Sequence, residues 1–299
     1  MEKYYVLCIA GQSNAVGYDE SYVSFPEYEN KDPKRIRQLG FYGDDNLKLL
    51  PLDYCAQSMQ NMRKFNRPDS PFPGTKGVHL PLANLILPEL PKDYGLLVLS
   101  IAYGGSGFTT GCDGTYDPEL KKPVPEDPAG GCGLLKWGKD TAYYKTLRDR
   151  ILHALSLHEE NRFCGIIWCQ GENDLENSSA HYQSFTEMTS SLFQELNEKG
   201  VPNQLAKGVW DKDIWFNLET VSYWYQMGEC QKIWDNYRNW NPSTYIEIPR
   251  ETPSNELNGT RETASILAAH YGGDAFYHVI APKVYKKLLE KGVFSFSDK

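Results

Sequence analysis

Continuous apolar runs alternate along the chain with segments whose apolar residues recur at helical spacing. Most of the runs are uniformly apolar rather than strictly alternating, which is typical of parallel strands covered on both faces. The sequence predicts five such strands: Tyr4–Ala10, Gly95–Ala102, Phe163–Cys169, Leu205–Trp210 and Thr244–Ile248.

The segments between these runs predict amphipathic helices. The clearest lies over Thr141–His158, where Leu147, Ile151 and Leu155 fall on one stripe. The predicted helices are His79–Leu90, Thr141–His158, Ala180–Glu198, Leu218–Asn239 and Pro282–Lys291. Alternating strands and helices favour right-handed crossovers, so we expect one α/β domain over residues 1–299, a three-layer α/β/α sandwich with a mainly parallel five-stranded sheet of flavodoxin-like type.

Two long irregular stretches, Ser21–Lys76 and Gly104–Gly138, interrupt this alternation. Connections of that length in a compact domain are usually functional or disordered. Both follow the carboxyl ends of predicted strands, where open α/β sheets bind ligands. We therefore expect them to be loop insertions around a site.

The overall charge and hydropathy narrow the class of protein. The 299 residues carry a formal net charge of -8, which argues against nucleic acid as a partner. No apolar stretch approaches the roughly 20 residues of a membrane span, so membrane insertion is not expected. The first residues lack the features of a signal peptide, so the sequence predicts a cytoplasmic protein, or the mature form of a periplasmic or secreted one.

The cysteines do not indicate a metal site. Cys8, Cys164 and Cys169 lie in apolar runs and are expected to be reduced core residues. Cys112 and Cys132 flank an insertion rich in Gly and Pro and could pair in an oxidising compartment. No Cys-x-x-Cys or His-x-x-x-His spacing suggests zinc.

A first polar motif, Gly11-Gln12-Ser13-Asn14, ends the first predicted strand. Ser13 could be a nucleophile at this strand end, or Ser13 or Asn14 could simply cap a following helix. Ala15 stands where a Gly-x-Ser-x-Gly elbow would have its second glycine, and the Gly-Lys-Ser/Thr of a phosphate loop is missing. The motif alone leaves both readings open.

Two further motifs follow the second and third predicted strands. Gly104-Gly105-Ser106-Gly107 could be a flexible turn or a loop whose backbone N–H groups approach a ligand. Trp168-Cys169-Gln170-Gly171-Glu172-Asn173-Asp174 gathers amide and carboxyl groups at a strand end, which favours a site over a plain loop.

One of the histidines has an acidic residue close to it in the sequence. His278 is expected in a loop before the last helix, with Asp274 four residues earlier. His270 precedes Gly272-Gly273 and is expected to complement the carboxyl end of a helix. The others lie in or beside helical patterns: His79, His153, His158 and His181.

Because three of these motifs end successive parallel strands, we expect them to meet at one edge of the sheet. Together they resemble the SGNH hydrolases and, within them, the sialate O-acetylesterases that act on 9-O-acetyl-N-acetylneuraminate, relatives of carbohydrate esterase family 6. The resemblance spans nearly the whole chain. It includes the segments 104–116 (GGSGFTTGCDGTY) and 136–147 (KWGKDTAYYKTL) and the aromatic residues Tyr223-Trp224-Tyr225.

The resemblance implies a serine esterase that transfers an acetyl group to water. Ser13 would be the nucleophile and His278 the base. The oxyanion would be bound by the backbone N–H of Ser13, a backbone N–H at Gly104–Gly105, and the side-chain amide of Asn173, with Gln170 as the rival. The acid of the family precedes the histidine by three residues, whereas Asp274 precedes His278 by four, so the site is either a triad or a Ser-His dyad held by a backbone carbonyl.

The resemblance also implies a sugar site and no metal or organic cofactor. Lys136, Trp137 and Asp140 are candidates for the carboxylate and glycerol tail of a sialic acid, and Tyr223 and Trp224 could stack on the sugar or pack between loop and sheet. The remaining polar residues expected in the substrate site are Gln12, Asn14, Ser106 and Glu172. Two alternatives remain: an acetylesterase for another O-acetylated glycan, such as xylan or a capsular polysaccharide, and a sugar-binding module without turnover.

Overall fold

The computed structural model describes residues 2–17, 29–41, 43–52, 77–109, 115–117, 122–124, 136–209, 214–241, 243–252, 254 and 270–294. Its strands are β1 Lys3–Gly11, β2 Ile36–Leu39, β3 Leu49–Pro51, β4 Tyr94–Ala102, β5 Thr115–Asp117, β6 Lys122–Val124, β7 Arg162–Cys169, β8 Trp215–Leu218 and β9 Thr244–Ile246. Cys112 and Cys132 lie outside the described residues.

Seven strands form one sheet in the order β3-β2-β4-β1-β7-β8-β9, and β5 pairs with β6 in a separate ribbon. All neighbours in the large sheet are parallel except β2 and β3. The two longest strands, β1 and β4, pair over nine residues from Lys3 with Tyr94 to Gly11 with Ala102. β1 is therefore central, and its carboxyl end lies between those of β4 and β7.

The helices are α1 Ser13–Val16, α2 His79–Ile86, α3 Ala142–Ser156, α4 Ser178–Glu198, α5 Ser222–Tyr225, α6 Cys230–Asn239, α7 Gly273–Ala275 and α8 Ala281–Glu290. Short 3-10 turns lie at Gly43–Asp45, Leu87–Glu89, Glu172–Asp174 and Val201–Gln204, and a π-helical turn, Phe276–Ile280, joins α7 to α8.

The connections place helices on both faces of the sheet. From β1 to β4 the chain moves towards one edge, and from β4 to β7 it moves towards the other. Right-handed crossovers then put α2 and α3 on opposite faces. Consistent with this, α3 packs against α4, β1 and β4, whereas α8 packs against α2 and β9. The three-layer α/β architecture expected from the sequence is confirmed.

The strand count expected from the sequence is wrong. β2 and β3 lie within the stretch expected to be irregular, and they bring the sheet to seven strands. Within the segment predicted as a strand at Leu205–Trp210, the described residues 205–209 make one bridge, from Leu205 to Phe163, and turn at Gly208, whose φ is 82°. The strand that follows β7 in the sheet is β8, which ends where the helix Leu218–Asn239 was expected to begin.

A single cluster of buried side chains extends from Tyr4 to Phe294 and includes Cys8, Cys164 and Cys169, which are reduced as expected. Strands β1, β4 and β7 are almost wholly buried, because helices cover both faces. Among the described residues, no helix combines the length and apolar character that crossing a membrane requires.

Candidate active site

The chain turns sharply from β1 into α1 at the first polar motif. Gly11 has a φ of 134°, and a Cβ there would lie 2.1 Å from the carbonyl oxygen of Cys169, so glycine is required. The next residue, Gln12, donates its N–H to the same carbonyl at 2.9 Å. Ser13 then begins α1 just beyond the carboxyl end of β1, where the residue is 8% exposed.

The expectation that Ser13 or Asn14 caps this helix is wrong. The capping position is Gln12, and its side chain makes no capping hydrogen bond. Ser13 is the first helical residue, and Asn14 uses its side chain elsewhere. Helix capping therefore does not explain the motif, and the alternative that Ser13 is a nucleophile remains.

The three strand-end motifs meet as expected. Tyr103 donates its N–H to the carbonyl oxygen of Gly11 at 3.0 Å, which joins the end of β4 to the nucleophile turn. Gln12 Oε1 accepts from the N–H of Asn173 at 3.3 Å, which joins the end of β7 to the same turn. Asn173 Nδ2 donates to the carbonyl oxygen of Gly105. Ser13, the Gly104–Gly105 loop and Asn173 are thus held around one point of the sheet edge.

The two candidate amide donors differ in their surroundings. Gln170 is fully buried, and its Nε2 donates to Asp174 Oδ2 at 2.9 Å and to the carbonyl oxygen of Ser106 at 3.3 Å. Asn173 is partly exposed and lies against Gly105. A donor to a reaction intermediate must reach the solvent-facing side of the site, so the geometry favours Asn173 over Gln170.

Asn14 and Glu172 form a buried hydrogen-bonded pair. Glu172 Oε1 accepts from Asn14 Nδ2 at 3.1 Å and from the hydroxyl of Thr220 at 2.6 Å. Asn14 Oδ1 in turn accepts from the N–H of Tyr271 at 3.1 Å. Both side chains are buried. These hydrogen bonds hold Tyr271 next to the nucleophile turn.

The structure places His278 and Asp274 on the exposed face of a helix. Residues 273–290 form a continuous helical segment, with His278 in its π turn, so the expected loop before the last helix is wrong. Phe276 and Ile280 point into the core, whereas Asp274 and His278 lie on the outer face with side chains 58% and 55% exposed. Their 3.5 Å contact, Nε2 to Oδ1, is a surface pair four residues apart.

His270 is the histidine that the structure places beside the nucleophile turn. It directly precedes Tyr271, whose N–H is bonded to Asn14 and whose hydroxyl donates to the carbonyl oxygen of Glu219 at 3.2 Å. Gly272-Gly273 begins α7, and the helix that His270 was expected to end would lie outside the described residues. The signal that could have found His270 is this Gly-Gly helix start directly after it.

Several residues expected to contact substrate are internal. Trp137 donates from Nε1 to Ser106 Oγ at 3.0 Å and to the carbonyl oxygen of Gly11 at 3.3 Å, and Ser106 Oγ donates to the carbonyl oxygen of Tyr103. Five side chains of the expected sugar site are buried and committed to such contacts: Gln12, Asn14, Ser106, Trp137 and Glu172. They are buried around the strand-end motifs.

The other expected sugar contacts keep exposed surface. Lys136 is partly exposed next to Trp137, and Asp140 is exposed in the following turn. Tyr223 and Trp224 lie in α5, beyond the carboxyl end of β8, and their ring centroids are 5.0 Å apart. Thr220, bonded to Glu172, ties the start of this segment to the site.

Comparisons with known proteins identify related esterases. Residues 127–223 match the family described as carbohydrate esterase, sialic acid-specific acetylesterase. The chain is 30% identical over 291 residues to the probable 9-O-acetyl-N-acetylneuraminic acid deacetylase of Escherichia coli (strain K12), covering 91% of this chain and 85% of that protein.

Solved structures agree as well. The crystal structure of NanS superposes with a TM-score of 0.77 at 26% identity, covering 97% of both chains. A protein from Arabidopsis thaliana shares the fold, with a TM-score of 0.63 at 12% identity over 96% of this chain and 98% of that one. The identity and coverage of the Escherichia coli relative, together with the matched domain, establish that this chain belongs to the sialic acid-specific acetylesterase family of carbohydrate esterases.

Proposed function

We propose that this protein removes the O-acetyl group of 9-O-acetyl-N-acetylneuraminic acid by acyl transfer through Ser13. The observation that carries the proposal is the meeting of Ser13, Gly105 and Asn173 at the carboxyl edge of β1, in a chain of this esterase family. The name of the Escherichia coli relative supports the choice of ester.

In the proposed reaction, Ser13 Oγ attacks the acetyl carbonyl while a histidine removes its proton. The negative charge on the acetyl oxygen is stabilised by the backbone N–H groups of Ser13 and of the Gly104–Gly105 loop and by Asn173 Nδ2. The C–O bond to the sugar breaks, and the histidine returns the proton to the sugar oxygen. Water then attacks the acetyl-serine, with the same histidine as base, and releases acetate.

The base in this proposal is His270, with His278 as the alternative from the sequence. The Asn14–Tyr271 hydrogen bond holds the neighbour of His270 against the residue that follows Ser13. His278 lies on the outer face of its helix with Asp274. A base must come within hydrogen-bond reach of the serine hydroxyl, and the bond from Tyr271 to Asn14 keeps the chain at His270 close to that turn.

The test compares acetate release from 9-O-acetylated sialic acid by Ser13→Ala, His270→Asn, His278→Asn and Asp274→Asn. We expect the first two variants to lose more than about 1000-fold in kcat. We expect the surface variants His278→Asn and Asp274→Asn to stay near the wild type. If His278→Asn and Asp274→Asn both lose activity as Ser13→Ala does, the histidine assignment is overturned and Asp274 is a third catalytic member.

Two further measurements separate the alternatives. Mass spectrometry after fluorophosphonate treatment should place the label on Ser13, and a label on another serine would refute the proposed nucleophile. Acetate release from acetylated xylo-oligosaccharides should be much slower than from the sialic acid. Faster release would indicate another glycan, and no hydrolysis of either substrate or of p-nitrophenyl acetate would indicate a binding module.

A further inference from the structure

Asp174 is the centre of a buried network that the proposed reaction does not use. It accepts hydrogen bonds from the backbone N–H groups of Phe108 and Thr109, from the hydroxyl of Thr109, and from Gln170 Nε2, at distances between 2.7 and 3.1 Å. His181 Nδ1 lies 2.9 Å from Asp174 Oδ2. Asp174 and His181 are both 0% exposed.

This network joins the two loops that carry the proposed oxyanion donors. Phe108 and Thr109 continue the loop that begins at Gly104–Gly105, and Asp174 directly follows Asn173. The bonds to Asp174 therefore fix the distance between the backbone donor on one loop and the amide donor on the other. An oxyanion is stabilised best by hydrogen-bond donors that already have the right positions before the reaction. A change in the distance between these two donors should therefore lower kcat.

Tyr237 lies between His181 and Gln170. Its hydroxyl accepts from Trp168 Nε1 at 3.0 Å and is 3.1 Å from the carbonyl oxygen of Gln170 and 2.8 Å from His181 Nε2. The hydroxyl has one proton, so all three contacts are hydrogen bonds only if that proton goes to Gln170 and Nε2 donates to the tyrosine oxygen. Nδ1 then donates as well, because an ionised Asp174 only accepts.

The surroundings of Asp174 are consistent with an ionised carboxylate. Burial alone would raise the pKa of Asp174. The hydrogen bond and charge of His181, together with the hydrogen bonds from the N–H groups of Phe108 and Thr109, outweigh burial and hold this pKa well below its usual range. The rings of Phe108 and Phe185 enclose the imidazole, with centroids 5.1 and 6.3 Å from its own. Charges buried in such surroundings persist only when they are paired and fully hydrogen-bonded.

We propose that Asp174 and His181 form a buried carboxylate–imidazolium pair that holds the two oxyanion-donor loops together, and that both are positioning residues for the esterase reaction. Tyr237 is the acceptor that keeps the second proton on His181. This inference rests on the proposed function only for its effect on kcat. The protonation of His181 can be measured without any turnover.

The first test is NMR on the whole, unmodified protein labelled with nitrogen-15. Long-range proton–nitrogen correlation spectra distinguish a doubly protonated imidazole from either neutral tautomer, and the spectrum of His181→Gln identifies the signals of His181. We expect both ring nitrogens of His181 to carry protons at pH 7. A neutral ring would overturn the proposed ion pair, whatever the kinetics show.

The second test measures kcat and KM for Asp174→Asn, His181→Gln and Tyr237→Phe. We expect kcat for Asp174→Asn and His181→Gln to fall by about 100-fold, as for a displacement of about 1 Å in a catalytic group, with KM unchanged. Tyr237→Phe should lose activity in the same way but to a smaller extent. An unchanged kcat, or a rise in KM alone, would overturn the positioning role.

The control is Leu196→Val, a buried residue on the same helix, about 22 Å from His181 along the helix axis. It should lower the melting temperature without lowering kcat, which separates positioning from general destabilisation. Failure of the proposed function would be recognised differently, because Ser13→Ala would then keep wild-type activity. The NMR test of His181 does not depend on that outcome.

Discussion

Asn173 and Gln170 carry the same amide group, and the sequence brings both to one strand end. In the structure their amide nitrogens have different partners. Gln170 Nε2 donates to Asp174 in a buried network, whereas Asn173 Nδ2 donates to Gly105, and Asn173 is partly exposed. Chemical type therefore identifies the candidates, and the direction of each side chain decides between their roles.

Replacing Asn173 with alanine should remove one oxyanion donor. We expect kcat to fall by about 100- to 1000-fold, a loss of about 3–4 kcal/mol in transition-state stabilisation, with little change in KM. Asn177→Ala, an exposed residue four positions later, is the matched control and should keep wild-type kinetics. Steady-state acetate release measures both. A wild-type kcat for Asn173→Ala would rule the residue out as a donor.

The sequence shows the type of each residue in the site but not the direction of its side chain. The sequence identified the three motifs and their meeting point, because each polar motif directly follows a strand whose burial is evident from its apolar run. It did not predict that Asn14 and Trp137 point inwards. That depends on partners distant in sequence, such as Tyr271 for Asn14, and no local pattern encodes them.

At the scale of elements, the junction of β1 with α1 depends on one close approach between strands. Gly11 lies so near the carbonyl of Cys169 that a Cβ would be 2.1 Å from the oxygen. The same short distance brings the ends of β1 and β7 together and places Gln12 within reach of Asn173. Strand spacing at this point therefore sets the geometry of the site.

Gly11→Ala should be severely destabilising, because both the contact with a backbone oxygen and the positive φ oppose a side chain. We expect the free energy of unfolding to fall by more than about 3 kcal/mol, measured by urea unfolding. Gly200→Ala is the control: its φ is also positive, at 81°, but a Cβ there would be 3.9 Å from the nearest atom. Its loss should be near 1 kcal/mol. Equal losses would contradict the close-approach argument.

Elements differ in how much of them the sequence could predict. The long strands β1, β4 and β7 have apolar runs long enough to be recognised, as do α3 and α4. The strands β2, β3 and β8 have three or four residues each, and their pairing with neighbours, not their composition, makes them strands. His278 was misplaced for a similar reason, since the helix that contains it begins earlier than Pro282 suggested.

At the scale of the whole molecule, one buried histidine links stability to pH. His79 is the first residue of α2 and lies near Gly17, which follows α1, and neither of its ring nitrogens has a hydrogen-bond partner among the described residues. Burial lowers the pKa of His79 from its ordinary value of 6.5 to about 3. The folded protein thus holds this ring neutral where the unfolded chain would protonate it.

Between pH 6.5 and about 3 the unfolded chain binds a proton at residue 79 that the folded protein does not, so the free energy of unfolding falls as the pH falls. Replacing His79 with leucine removes this contribution and leaves that of the carboxylates in place. From pH 7 to 4.5, the wild type should lose about 2–3 kcal/mol relative to His79→Leu in urea unfolding. Leu82→Val, in the same helix, should lower stability equally at both pH values. A constant difference between the wild type and His79→Leu would mean that residue 79 binds a proton in the folded protein as readily as in the unfolded chain.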